Sequence, residues 1–199
     1  MTTILQLNAS LSPQGQSDQL ANRFVAALLA KQPDAKLTVR DLAAQPLPHL
    51  DAAEVGAFFT PAESRSAEQQ ALLAVSDGLV AELAAADVLV LAVPMYNFGI
   101  PSTLKAYFDR VARAGVTFKY TETGPVGLLS GKKAYVLAAR GGMYQGTAKD
   151  SQTAYLKDFL SFIGIDDVTF VYAEGLNMGD ANRAAALAAA EQQIAQLTA

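Results

Sequence analysis

Four short apolar runs punctuate the chain, each bounded by turn or polar residues: TILQLN (3–8), DVLVLAVP (87–94), KAYVLAAR (133–140) and DVTFVYAE (167–174). A run this short that is apolar at nearly every position suits a strand buried on both faces, inside a sheet covered from both sides. A fifth run, KLTVRDL (36–42), alternates as a half-covered edge strand does. Between the runs lie segments with helical spacing, at 17–32, 67–86, 102–114, 151–163 and 181–198. Strand and helix alternate five times, which calls for an α/β fold with a parallel sheet and helices on both faces. The Ala-rich tail ANRAAALAAAEQQIAQLTA reads as the last helix, because alanine is the best helix former. No repeat or linker interrupts the pattern, so residues 1–199 read as a single domain, and 51% hydrophobic content is enough for a large core. Two segments fall outside the alternation. Residues 43–66, with Pro46, Pro48, Gly56 and Pro61, read as a loop, and GVTFKYTETGPVGLLSGK (115–132) reads as a hairpin-like excursion.

Composition removes several function classes. A net charge of −4 and a pI near 4.9 argue against a nucleic-acid surface or a basic membrane patch, since the only basic pairing is Lys132-Lys133. With no cysteine and a single histidine, His49, the chain has no thiol nucleophile, no disulfide framework and no His- or Cys-based metal site. Any redox chemistry must then use a borrowed cofactor. The start MTTILQLN lacks a basic segment and a long apolar core, and no apolar run approaches the roughly 20 residues of a membrane helix, so the expected address is the cytoplasm.

In an open parallel sheet of order 2-1-3-4-5, ligands bind beyond the carboxyl ends of the strands, between strands one and three. The loops leaving strands one, three and four must therefore be read together. After strand one comes ASLSPQGQS, which has the layout of a phosphate-binding turn entering a helix but holds no Lys or Arg before Arg23. A helix N-terminus offers unpaired N–H groups and a partial positive charge, and the Ser10 and Ser17 hydroxyls with the Gln16 amide complete such a shell; an ordinary capped helix start is the alternative. Neither GxGxxG nor GxxxxGK[ST] occurs, which counts against a dinucleotide fold and against a nucleotide triphosphatase. After strand three comes PMYNF (94–98), where Pro94 should end the ladder and Met95, Tyr96, Asn97 and Phe98 suit a flat heteroaromatic ligand unless the aromatics are core. After strand four comes ARGG (139–142), whose paired glycines permit close backbone approach or simply a tight turn, with Arg140 as a surface ion-pair partner or a ligand contact.

PMYNF, RGG, VARAGVTFKYTETGPVGL, FLSFIGI and FVYAEG, in this order and spacing, closely resemble the FMN-dependent NADH azoreductases, which are also NADH:quinone oxidoreductases, along essentially the whole chain. The resemblance implies a flavodoxin-like homodimer with one FMN per subunit at the interface. It also implies a ping-pong reaction in which flavin N5 carries a hydride from NADH to quinones or azo compounds, with no catalytic side chain and no metal. Carried over by position, Ser10 and Gly15-Gln16-Ser17 match the phosphate loop. Met95, Tyr96, Asn97 and Phe98 match the flavin-ring loop, and Ala139, Arg140, Gly141 and Gly142 the pyrimidine edge. Tyr120 and Phe162 match aromatics near the flavin face, Phe162 from the partner subunit. Gly15 and Ala139 stand where many relatives have serine, so backbone N–H groups must serve there. The rival readings are a flavodoxin-type one-electron carrier, and a receiver-like module, which would need acids at the end of strand one where this chain has NAS.

Overall fold

The computed structural model describes residues 1–199. Five parallel strands form the sheet: β1 (Thr3–Asn8), β2 (Lys36–Asp41), β3 (Val88–Pro94), β6 (Lys133–Ala139) and β7 (Asp167–Ala173), in the order β2-β1-β3-β6-β7. Counting sheet strands alone, this is the expected 2-1-3-4-5. The strand order reverses between β1 and β3, which pair from Ile4↔Val88 to Asn8↔Ala92. β2 lies at the edge with five of its six residues exposed and none buried, so it is less covered than the half-covered strand its alternation predicts.

The doubly apolar runs feed two cores. Leu89, Leu91 and Val93 join one cluster beneath α3 (Ala67–Ala85), α4 (Ser102–Val111) and α5 (Ser151–Phe162), while Val90 and Ala92 join the other beneath α1 (Gln16–Lys31) and α6 (Asp180–Leu197). Adjacent residues of one strand thus serve opposite faces, and each fully buried Leu or Val contributes about 1.5–3 kcal/mol.

The segment 43–66, expected to be a loop, contains α2 (Ala52–Phe59) and a 3₁₀ turn at Ala62–Ser64. Asp51 starts α2 by accepting the Glu54 N–H through its side chain. Glu54 is then buried against Arg110 of α4 at 2.6 Å, and Arg110 also donates to the Pro48 carbonyl. The proline content hid a helix that is pinned by a tertiary ion pair.

The excursion at 115–132 is a true hairpin, β4 (Phe118–Thr121) paired antiparallel with β5 (Gly124–Gly127). It docks on the far end of α5, where the Leu129 N–H donates to the Ile163 carbonyl at 2.9 Å. A Cβ on Gly127 would lie 2.0 Å from the Gly164 nitrogen. Gly127→Ala must therefore push the hairpin off α5, and we expect a loss of about 2–3 kcal/mol, read as a lower Tm. An unchanged Tm would show that the backbones separate freely.

Candidate functional site

The loop after β1 is built to leave amides free. Gly15 begins α1 with its own N–H bonded to the Ser12 carbonyl at 2.9 Å, and no side chain caps the helix. The N–H groups of Gln16, Ser17 and Asp18 therefore have no acceptor within the chain. The turn is tight enough to exclude a side chain at Gly15, where a Cβ would sit 2.1 Å from the Ser10 Oγ and 3.1 Å from the Ser12 carbonyl oxygen. The space a serine would need at this position is occupied by the Ser10 hydroxyl. The hydroxyls expected to complete an anion shell turn inward: Ser10 Oγ bonds the Ser12 carbonyl at 3.2 Å, and the fully buried Ser17 Oγ faces Asp18 at 3.4 Å. The Gln16 side chain bonds the Gln14 carbonyl at 3.4 Å. The backbone N–H groups of Gln16, Ser17 and Asp18 are the donors left without a partner at this helix start.

Beyond this loop a cavity of about 430 Å³ opens toward β2, lined in part by Asn8, Asp18, Asn22 and Asp41. Burial, with a smaller push from the Asp41 charge, drives the Asp18 carboxyl up to about 6 against bonds from the Ser10 backbone and the Ser17 hydroxyl. A raised carboxyl favours the folded state when protonated, so its cost builds as pH rises from about 4 to about 6, is complete above that and vanishes below about 4. Asp18→Asn should therefore raise the Tm of the cofactor-free protein at pH 8 by about 2 °C, small because water screens a half-exposed group, and leave it unchanged at pH 4. A gain of equal size at both pH values would contradict this.

The ladder between β3 and β6 ends at Pro94, as expected. Pro94 still pairs in register with Ala139, and the Met95 N–H bonds the Ala139 carbonyl at 2.9 Å. The chain then reverses: Tyr96 and Gly99 exchange both backbone hydrogen bonds around Asn97 (φ 49°) and Phe98 (φ 67°). These two are the only non-glycine residues with positive φ, and a bulky side chain held there marks stored strain at a functional position. The strain holds Phe98 50% exposed at the mouth of the site. Tyr96 is not core; its hydroxyl accepts the Leu11 N–H at 3.1 Å and ties this turn to the loop after β1.

The third loop faces the second across a crevice of about 420 Å³ lined by Met95, Asn97, Phe98, Gly141, Gly142, Tyr144 and Asn177. Cβ atoms on Gly141 and Gly142 would lie 2.6 Å from the Asn177 amide nitrogen and 2.7 Å from the Tyr144 hydroxyl, so both glycines are needed for the close approach of those side chains. Ala139 is a buried strand residue whose carbonyl is already used by Met95.

Arg140 departs from both of its sequence readings: it is neither a surface ion-pair partner nor a side chain in the crevice. Its side chain is 0% exposed and meets Asp150 and Glu174 at 2.9 Å each, Gln152 at 3.2 Å and Thr153 at 2.9 Å, above the Tyr172 ring at 5.0 Å. The chain turns it inward because the neighbouring helix start and the end of β7 supply both carboxylates. Burial alone would raise the Asp150 carboxyl, but the Arg140 bond, the Thr153 bonds and the Arg140 charge together hold it below the usual range. Tyr144, Gln152, Glu174 and Asn177 were not singled out as site residues, although GGMYQGT and DVTFVYAE contain two of them.

Tyr120 and Phe162 do not line this crevice. Phe162 is the last residue of α5, whose first residue, Ser151, bonds the Phe98 carbonyl beside the crevice. Twelve helical residues span about 18 Å, which places Phe162 toward the amino-terminal ends of the strands, away from the crevice. There its ring packs on Phe118 at 4.2 Å, and Phe118 in turn meets the 73% exposed Tyr120 at 5.6 Å.

The chain matches the flavodoxin-like fold family over residues 2–198. It is 60% identical over 196 residues, covering 98% of this chain and 99% of the relative, to a protein of Burkholderia lata named FMN-dependent NADH:quinone oxidoreductase 6. Among solved structures it resembles an azoreductase from Bacillus anthracis with a TM-score of 0.91 at 29% identity, over 100% of this chain and 99% of that one. It also resembles an FMN-dependent NADH-azoreductase from the same organism in complex with FMN, with a TM-score of 0.86 at 27% identity and full coverage of both chains. The match over residues 2–198 and the 60% identity across almost the whole chain make this chain a member of the flavodoxin-like family of FMN-dependent NADH:quinone oxidoreductases and azoreductases.

Proposed function

We propose that residues 1–199 form one FMN-binding domain of a cytoplasmic homodimer that uses NADH to reduce quinones and azo compounds. The observation that carries this reading is the convergence of the three loops, with the Tyr96 hydroxyl bridging the first two. The residues fit FMN. The unpartnered amides of Gln16, Ser17 and Asp18, in the first turn of α1, suit a phosphate without any cationic side chain. Met95, Asn97 and Phe98 offer a wall, and Gly141 and Gly142 offer an edge. When bound, FMN supplies the two-electron relay that a chain without cysteine lacks.

The protein's own part is to hold and to exclude. The strained Asn97–Phe98 turn fixes an aromatic wall, and the glycine loop leaves no room for a competing side chain. No carboxylate, histidine, lysine or arginine lines the crevice, so the protons that accompany the hydride on the acceptor come from water.

Phe162 and Tyr120 belong to the slot of the partner subunit in this reading. Support comes from their place about a helix length away from their own crevice, with Tyr120 largely exposed on a rigidly docked hairpin. Phe162→Ala should raise the acceptor KM about tenfold while FMN remains bound, since one aromatic contact is worth about 1–1.5 kcal/mol. A KM unchanged across a panel of quinones would remove Phe162 from the slot.

The function itself is tested by steady-state turnover of the FMN-loaded protein with NADH and quinones or azo dyes. Parallel double-reciprocal lines are expected, and intersecting lines would mean that both substrates bind together. No helix is long and apolar enough to cross a membrane.

A further inference from the structure

We propose that Gln152 and Glu174 are positioning residues of the crevice, which act on either side of Arg140 to hold the Tyr96–Gly99 turn and the Gly141–Tyr144 loop at a fixed separation. The proposal rests on the reading that the flavin ring lies between these two loops.

Gln152 is 1% exposed, yet it is a polar residue near the start of a helix that buries Leu156 and Leu160. Its amide is fully used. The oxygen accepts from Arg140 Nε at 3.2 Å, and the nitrogen donates to the Pro94 carbonyl at 3.0 Å and the Gly99 carbonyl at 3.3 Å. The guanidinium is donor-only, so it fixes the amide with its oxygen toward Arg140 and both N–H groups toward the turn. Pro94 and Gly99 bracket Asn97 and Phe98, the only two residues in strained left-handed conformations apart from glycine. The strained turn would otherwise relax, and Gln152 is the buried group that grips it at both ends.

Glu174 does the corresponding work on the other loop. It leaves β7 with its side chain 11% exposed and accepts from Arg140 Nη1 at 2.9 Å. The same carboxylate accepts the Tyr144 and Gln145 backbone N–H groups at 3.0 Å. Tyr144 is thereby held with its hydroxyl against Gly142 and its ring edge-on to Phe98 at 5.5 Å. Arg140 is thus the centre of a bracket with one arm on each wall of the crevice. Because each arm ends on main-chain groups, a change in either arm shifts backbone that would touch the ligand, without removing a ligand contact.

The test uses the full-length protein stripped of FMN, with FMN affinity read by quenching of flavin fluorescence well below each variant's Tm. Gln152→Met keeps the size and removes the grip, and Gln152→Glu keeps the contact with Arg140 while presenting no donor to the turn. Each should weaken FMN binding about tenfold, the worth of one or two buried hydrogen bonds. Glu174→Ala should do the same, whereas Glu174→Gln, which keeps an acceptor for both amides, should stay within about twofold of wild type. Gly141→Val is the control for the site, since a side chain there collides with Asn177 and should lower FMN affinity whatever Gln152 and Glu174 do. Wild-type FMN affinity in Gln152→Met, or in Gln152→Glu if the methionine variant does not fold, overturns the proposal. Equal loss in Glu174→Gln and Glu174→Ala also overturns it, because the acceptor geometry would then be irrelevant. If Gly141→Val binds FMN as wild type does, the placement of the flavin fails, whatever the bracket does.

Discussion

Ser17→Asp should yield a folded protein that no longer retains FMN. Position 17 is the second residue of α1, fully buried, with a backbone N–H that has no acceptor within the chain. A carboxylate introduced there would lie beside the free amides that the phosphate requires and would satisfy them itself, which is favourable at a helix N-terminus and spares the fold. It would also repel the phosphate at close range. Two like charges about 4 Å apart at an effective dielectric near 20 cost about 4 kcal/mol, roughly a thousandfold in affinity. FMN retained through gel filtration, with an unchanged circular dichroism spectrum, would move the phosphate away from α1.

The second large effect belongs to Arg140. Arg140→Leu removes the one cation among Asp150 and Glu174, leaving two buried carboxylates without a counter-charge and Gln152 without its donor. Breaking a buried pair from one side costs about 3–5 kcal/mol, which lowers Tm by roughly 10 °C in a chain of this size. The loss depends on pH with a definite sign. Asp150 is held below its ordinary range in the folded protein, so its stabilisation is present above the unfolded value near 3.9 and is lost as pH falls through the lower folded value. The gap between Arg140→Leu and the parent should be widest near pH 7 and narrow below pH 4. A variant as stable as the parent at pH 7 would mean that the network contributes nothing net, as some buried ion pairs do.

The strand runs were legible because a fully covered parallel sheet demands apolar residues on both faces. Each of the four lies within one residue of its observed strand, as with 87–94 against Val88–Pro94. The edge strand was legible as a strand, but its alternation overstated its cover, since β2 is exposed at five of six positions. α2 was not, because its place depends on Glu54 reaching Arg110, 56 positions away, while the local signals were three prolines and a glycine. The site loops were visible as positions, but their side chains were not. Ser10 and Ser17 looked like ligand hydroxyls and instead brace their own turn. Arg140 looked like a surface or ligand-facing residue because its partner Glu174 lies 34 residues on, beyond any local pattern. The positive φ of Phe98 has no local signature either, since phenylalanine has no preference for that region and is held there by Gln152 and Ser151. Gly15 is the opposite case. Its departure from serine looked like a lost contact, and the structure gives the reason: the Ser10 side chain fills the space.

The central claim is that this chain is a two-electron enzyme with one shared slot and not a carrier between proteins. The direct measurement is to mix the FMN-loaded protein with NADH alone, without oxygen, and follow the visible flavin band by stopped flow. NADH should abolish the band in a single phase with no partner protein present, and a quinone added afterwards should restore it in one two-electron step. If NADH leaves the band intact until a separate reductase is supplied, or a one-electron species accumulates on the way, the shared-slot account is wrong and the protein works as a carrier.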